Sequence, residues 1–320
     1  MINCPVLFLI FNRPETTRKV FNAIREAKPK QLYIAADGPR PEKPGEKETI
    51  EEVREIALAV DWDCEVQTLF RKENLGCGIG PAQAISWFFE HVEQGIILED
   101  DCVPNQSFFY YCELLLQQYK NDPSVMHISG NNFSFQKNNS NQTYFFNYYF
   151  TAWGWATWRR AWVKYNFYVP ELDEFYRLKK LENISLNKNH YKFWVETFEF
   201  VRDGKRKDVW DFQWILACWM NNAYAITPSV NLVTNIGFDQ NATHTIGDSR
   251  VSYVPTAEIG ALIHPVKKVR NKKLDSLIFK NYFKPPQYIN HIRNFLYKVF
   301  PLKLILPLRF LRRSIFPNIK

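Results

Sequence analysis

Residues 95–104 read GIILEDDCVP. Ile96, Ile97 and Leu98 form an apolar run without polar alternation, the mark of a strand covered on both faces, as in parallel sheets. The run ends on three adjacent carboxylates, Glu99, Asp100 and Asp101, followed by a turn. Two like charges 4 Å apart repel by about 4 kcal/mol at an effective dielectric of 20. The triplet therefore either fans out into water or gathers around positive charge, and taken alone it fits both readings.

Working outward from this run, the first 130 residues alternate two periods. PVLFLIF (5–11), QLYIAAD (31–37), CEVQTLF (64–70) and SVMHIS (124–129) are further apolar runs of strand length. Between the runs lie helix-like stretches at 14–27, 46–60, 81–92 and 105–119. Buried strands alternating with amphipathic helices predict an α/β fold, a mostly parallel sheet flanked by helices on both faces. Such sheets bind ligands outside the carboxyl ends of their strands. The polar residues at those ends are therefore candidates: Asn12 and Arg13 after the first run, Asp37 after the second, Arg71 after the third and the carboxylate triplet after the fourth. Residues 131–265 lose this regularity, with an aromatic cluster at 150–162 and a predicted helix over 190–203. The organisation expected is a regular, alternating half over 1–130, an irregular half over 131–265, and a basic C-terminal extension over 266–320.

Composition narrows the class. The net charge of +8 hides an asymmetry: residues 266–320 hold 14 Lys/Arg against one acid, while 1–265 hold 27 basic and 32 acidic residues. The six cysteines show no C-x-x-C spacing, which argues against a zinc site. With no secretory signal pattern, reduced thiols and a cytoplasmic setting are expected. The tail stretch NFLYKVFPLKLILPLRFLRRSIF (294–316) interleaves apolar and basic residues and is too interrupted for a spanning helix. It predicts peripheral attachment to the anionic inner face of the cytoplasmic membrane or packing as a helix, and no nucleic-acid motif accompanies it.

Several local motifs bear on chemistry. A short acidic triplet at a strand end has the hard oxygen donors that hold Mn²⁺ or Mg²⁺ against a diphosphate. RKENLGCGIGP (71–81) carries glycines at 76, 78 and 80 but matches neither the dinucleotide nor the P-loop pattern. It predicts a loop pinned by Asn74 whose backbone approaches a diphosphate, or a plain turn before a helix. AWGWATW (152–158) predicts a cleft wall of tryptophan faces.

The order CPVLFLIFNRPETT, YIAADGPR, GIILEDDCVPNQSFFYYC, PSVMHISGNNF, AWGWATW and VWDFQW, over about residues 4–245, resembles the N-acetylglucosaminyltransferase I family and its bacterial relatives of GT-A fold. The resemblance implies a Rossmann-like nucleotide-diphospho-sugar transferase that is inverting, metal-dependent and uses UDP-N-acetylglucosamine. It further implies Asp101 as the direct metal ligand, Asp100 at the nucleotide ribose and Glu99 as a supporting acid. Asp37 would read the uracil ring, and Arg13 would meet the nucleotide or its phosphates. Inverting transfer needs a carboxylate to take the acceptor's proton. Asp211 in VWDFQW (209–214) fits, with Asp208 as its rival and a helix-capping role as the bland alternative. His244 in NATHT (241–245) is a candidate metal or diphosphate ligand, since many GT-A enzymes bring a late histidine there. The partners expected are a UDP-sugar donor and a saccharide or lipid-linked glycan acceptor. Two rival functions are a sugar-1-phosphate nucleotidyltransferase, which would want glycines that FNRPETT lacks, and a non-catalytic, membrane-attached sugar-binding protein.

Overall fold

A computed structural model describes residues 1–135, 141–238 and 251–283. The five apolar runs are strands: β1 (Val6–Ile10), β2 (Gln31–Ala36), β3 (Glu65–Phe70), β4 (Gln94–Glu99) and, after the short β5 (Cys102–Pro104), β6 (Val125–Ser129). The helices between them are α1 (Pro14–Ala27), α2 (Glu46–Leu58), α3 (Gly76–His91) and α4 (Gln106–Gln118). Next come β7 (Tyr144–Asn147), β8 (Trp155–Trp158) and helices α5 (Arg159–Trp162), α6 (Leu172–Arg177), α7 (Lys180–Ile184), α8 (Lys188–Arg202) and α9 (Asp211–Met220). β9 (Tyr224–Pro228), β10 (Val233–Asn235), α10 (Lys272–Ile278) and a π-helical turn at Phe279–Phe283 complete the order.

Eight strands form one mixed sheet in the order β3-β2-β1-β4-β8-β6-β9-β7. β1, β2, β3 and β4 are mutually parallel, as are β6 and β9, whereas β8 runs antiparallel between β4 and β6 and β7 antiparallel on the edge beside β9. Chain before residue 130 and chain after 131 therefore share a single sheet. The strand side chains alternate between two cores. Leu7, Leu9 and Ile97 enter the core under α3, α8 and α9, while Val6, Phe8, Ile10, Ile96 and Leu98 enter the core under α1, α2 and α4. Burial on both faces is the reason these runs carry no polar alternation.

Two expectations need correction. The glycine stretch is not a loop: Gly76 opens α3, five residues before the helix expected at 81. The glycines serve close approach, since a Cβ on Gly78 would lie 2.0 Å from the Lys207 carbonyl oxygen and one on Gly80 would lie 3.2 Å from Asp37 Oδ2. Asn74 does act as a pin, its amide donating to the Gly38 carbonyl at 2.8 Å. The tryptophans of 152–158 do not form one wall. Trp155 and Trp158 are buried in β8, where Trp155 stacks on His127 and Trp210, and Trp153 alone is left half-buried.

Of the segment 266–320, residues 266–283 are described, and they pack on the body. Phe279 lies 3.8 Å from the His190 ring centre, and Phe283 meets Tyr149 and Trp194. Asp275, wholly buried, accepts from Arg270 Nε at 2.6 Å and from the Tyr148 amide at 2.8 Å. The stretch 294–316 lies outside the described residues. No helix among the described residues is long and apolar enough to cross a membrane. The six cysteines are free thiols.

Removing one partner of a buried ion pair leaves an uncompensated charge, typically at 3–5 kcal/mol. Asp275→Ala is therefore expected to cost about 3–5 kcal/mol in urea unfolding, with Asp275→Asn, which keeps an acceptor for the Tyr148 amide, losing less. Equal stability of Asp275→Ala and wild type would show that the clamp contributes nothing.

Candidate active site

The strand order reverses about β1: the chain leaves β1 for β2 and β3, then returns to β4 on the other side. Ligand crevices form at such switch points, outside the carboxyl ends of the strands. Here those ends are Phe11–Arg13 and Glu99–Asp101, and they are bonded to each other. The Phe11 amide donates to Asp100 Oδ2 at 2.9 Å. Arg13 Nη1 donates to Asp101 Oδ2 at 3.1 Å, both side chains being 15% exposed. Asp101 Oδ1 accepts from Asn235 Nδ2 at 3.2 Å, and the Asp101 carbonyl accepts from the Ile236 amide at 2.8 Å. The ribbon of β5 and β10 delivers Asn235 to this position. The chain then passes so close that a Cβ on Gly237 would fall 2.1 Å from Asp101 Oδ2 and 2.7 Å from Arg13 Nη1. Only glycine fits there, because the backbone lies against the ion pair itself.

Electrostatics follow from this crowding. Burial, then the charges of Asp101, Asp100 and Asp211, push the Glu99 carboxyl well above the usual carboxylate range, against the pull of Arg13. Burial and Asp101 raise Asp100 to about 7, opposed by Arg13 and the Phe11 amide. Asp211 is thus in the same field as the triplet, brought there by α9. It is the first residue of that helix, with its Oδ1 accepting from the Phe212 amide at 3.0 Å. Its place is fixed by Trp210, buried against Trp155 and Trp162, whose carbonyl accepts from the Tyr165 hydroxyl at 3.2 Å. The rival Asp208 is exposed and pairs with Arg206 at 3.2 Å.

Asp37 is tied to the start of α3. Its Oδ1 accepts from the Gly38 and Leu75 amides at 3.1 and 3.0 Å, and its Oδ2 from the Leu75 and Gly76 amides, both at 2.9 Å. Three amide donors, that of Leu75 shared between both oxygens, thus hold the carboxylate over the N-terminus of the helix, and about one of its four lone-pair sites is left over. Arg71, half-buried just after β3, is tied by its backbone, its amide donating to the Ala36 carbonyl at 3.0 Å and its carbonyl accepting from Arg54 Nη2 at 2.9 Å. Its guanidinium forms no ion pair among the described residues; burial lowers its pKa, and the charge of Asp37 acts in the other direction. His244 lies outside the described residues.

Sequence reasoning missed Asn235, Gly237 and Tyr282. Tyr282, on the π-helical turn, stacks on Phe133 (5.1 Å, 5°) and meets Trp153 edge-on (5.3 Å, 79°), while Asn281 Nδ2 ties the turn to the Phe133 carbonyl at 2.6 Å. Burial and the charges of Asp211, Glu99 and Cys102 raise its phenol well above the ordinary value. With Phe238 against Trp153 at 5.5 Å, these rings line the side of the acid cluster. The adjacent Asn, Gly and Phe at 235–238 were the one available signal, a short polar-glycine step after an apolar pair.

Could this site hold a metal? Among the described residues no group of three or more His, Cys, Asp or Glu is arranged to enclose an ion. The donor chemistry fits an ion of another kind, one that takes one or two carboxylates and completes its shell with phosphate oxygens and water, as Mg²⁺ does. The triplet and Asp211 outnumber the one neighbouring guanidinium, Arg13, so a bound cation would relieve the mutual repulsion that adds to burial in raising Glu99 and Asp100. Asp101 and Glu99 are the residues that would meet such an ion.

The raised Asp100 carboxyl carries a stability consequence. Between an ordinary value near 3.8 and about 7, the folded state keeps a proton that the unfolded chain releases. This contribution is complete below about pH 4 and is lost as pH rises through 7. The stability difference between Asp100→Asn and wild type should therefore shift toward the variant by about 1.4 kcal/mol per pH unit across that window. A difference that stays flat in urea titrations from pH 4 to 7 would contradict the assignment.

No protein family matches the chain, and no curated protein matches it. Solved structures similar to it include HddC from Yersinia pseudotuberculosis, at 7% identity over 54% of this chain and 86% of that one, with a TM-score of 0.33. UDP-glucose pyrophosphorylase complexed with UDP-glucose matches at 10% identity over 47% of this chain and 65% of that one, with a TM-score of 0.28. The glycosyltransferase GlyE of Streptococcus pneumoniae TIGR4 matches at 11% identity over 60% and 42%, also with a TM-score of 0.28.

Proposed function

We propose that the protein is a metal-dependent, inverting glycosyltransferase of GT-A type. It would move a sugar, by its sequence resemblance N-acetylglucosamine, from a UDP-sugar to a hydroxyl of a saccharide or lipid-linked glycan. The observation that supports this reading best is the Arg13–Asp101 ion pair at the switch point between β1 and β4, with Asp211 within electrostatic reach of the same acid triplet. Acids far apart in the chain thus act on one another where such sheets place their ligands.

The roles follow from position. Asp101, held by Arg13 and Asn235, presents a fixed carboxylate. A bound Mn²⁺ or Mg²⁺ would supply positive charge to the leaving diphosphate, with Asp101 and Glu99 as its protein ligands. Arg13 and Arg71 bring guanidinium groups, whose forked donors suit phosphate oxygens. Asp100, bonded to the Phe11 amide, keeps β1 and β4 in register beneath the nucleotide. Asp211 takes the proton from the acceptor hydroxyl as it attacks the anomeric carbon. The apolar rings of Trp153, Phe133 and Tyr282 beside it exclude water that would compete as acceptor.

UDP release from a panel of UDP-sugars, with and without Mn²⁺ and with saccharide acceptors, tests the reading. Asp211→Asn should lower kcat by about 10²–10⁴ with little change in donor KM, and Asp101→Asn should abolish the metal dependence of UDP binding. Absence of metal-assisted UDP binding in wild type would refute the proposal. Pyrophosphate formation from UTP and a sugar 1-phosphate would replace it with nucleotidyl transfer.

A further inference from the structure

The sheet ends at β7, and the chain returns alongside this edge as a strap over residues 263–271. The strap is tied at both ends. At one end the Thr143 amide donates to the Ile263 carbonyl at 3.1 Å, the Ile263 amide donates to Thr143 Oγ1 at 3.0 Å, and the Tyr144 hydroxyl meets His264 Nδ1 at 2.8 Å. At the other, the Asn271 amide donates to the Phe146 carbonyl at 2.7 Å, next to a bridge between Phe146 and Arg270. Between the ties the strap and β7 border an open hollow of about 450 Å³, with Phe145, Phe146, Pro265, Val266 and Val269 among the residues that line it.

The strap leaves apolar side chains in water: Val266 is 93% exposed and Val269 63% exposed. Around them the exposed charge is of one sign. Residues 266–283 hold six Lys/Arg and one acid, Asp275, which is buried on Arg270. Lys268 is turned back onto Asp122 and Ser124. Lys267, Lys272 and Lys273 are exposed and form no ion pair among the described residues. Helix α10 buries Leu274, Asp275 and Ile278 and leaves its two leading lysines exposed, directly after the strap in the chain.

Valines interleaved with unpaired lysines fit a surface that is anionic at the top and apolar just below, which describes an anionic bilayer interface. A nucleic acid would use the lysines and leave the valines in water. We infer that the strap is a membrane-contact face, with Val266 and Val269 entering the interfacial layer and Lys267, Lys272 and Lys273 meeting lipid headgroups. This surface belongs to the folded body and is separate from the basic tail of residues 294–316.

Sedimentation of the full chain with phosphatidylcholine vesicles, with and without phosphatidylglycerol, tests the assignment. Wild type should bind the anionic vesicles and only weakly the neutral ones. Val266→Asp/Val269→Asp should weaken binding at least tenfold. Lys267→Gln/Lys272→Gln/Lys273→Gln should weaken it roughly a hundredfold, about fivefold per lysine. All five side chains are exposed, so the urea midpoints of both variants should match wild type, which separates loss of contact from loss of fold. Wild-type affinity in either variant would overturn the inference, since another part of the chain would then carry the binding. So would equal binding to neutral and anionic vesicles, or binding to duplex DNA in place of vesicles.

Discussion

The contact on which the rest of the site depends is the ion pair between Arg13, one residue beyond the turn after β1, and Asp101, at the end of the acidic triplet. Three consecutive carboxylates at the mouth of a buried strand repel one another, and a neighbouring guanidinium offsets part of that repulsion. Ion pairs at this level of exposure fall between the 0–1 kcal/mol of surface pairs and the roughly 3–5 kcal/mol lost when a buried pair is broken. Its geometric consequences are wider than its energy. The β5–β10 ribbon brings Asn235 to the second oxygen of Asp101, and residue 237 must lack a side chain for the backbone to pass. The triplet is thereby made asymmetric: Asp100 faces the β1 backbone, Asp101 faces Arg13 and the ribbon, and Glu99 is the most strongly raised of the three, with Asp211 adding to the charges that act on it.

The framework was legible in the sequence because doubly covered strands leave a signal that needs no partner information. The runs at 5–11, 31–37, 64–70, 95–100 and 124–129 each contain a strand, since burial on both faces demands uninterrupted apolar residues. What stayed hidden depended on contacts across the chain. Asp37 before a glycine and a proline reads as a turn or a ligand; that it closes the N-terminus of α3 follows only once residues 75 and 76 are seen above it. The glycines at 76, 78 and 80 spell a loop by composition, yet they allow the start of a helix to approach Lys207 and Asp37. Strands β7, β8 and β9 were not anticipated. Their residues are aromatic and small polar ones whose burial depends on the Trp and Tyr rings stacked around them, as Trp155 does on His127.

The same contrast applies to the C-terminal segment, where net charge drew attention away from spacing. Leu274, Ile278, Phe279 and Phe283 recur at helical intervals and are buried, while the basic residues among them point outward or, in the case of Arg270, inward onto Asp275. One short stretch thus has three environments. Its start forms the strap, its middle is clamped in the core, and its end places Tyr282 over Phe133 beside the acid cluster. The clamp lies between the other two. A wholly buried carboxylate that accepts from both Arg270 and the Tyr148 amide cannot be displaced without exposing a charge to an apolar interior. Asp275 thereby anchors the segment to the body between the strap and the turn that carries Tyr282.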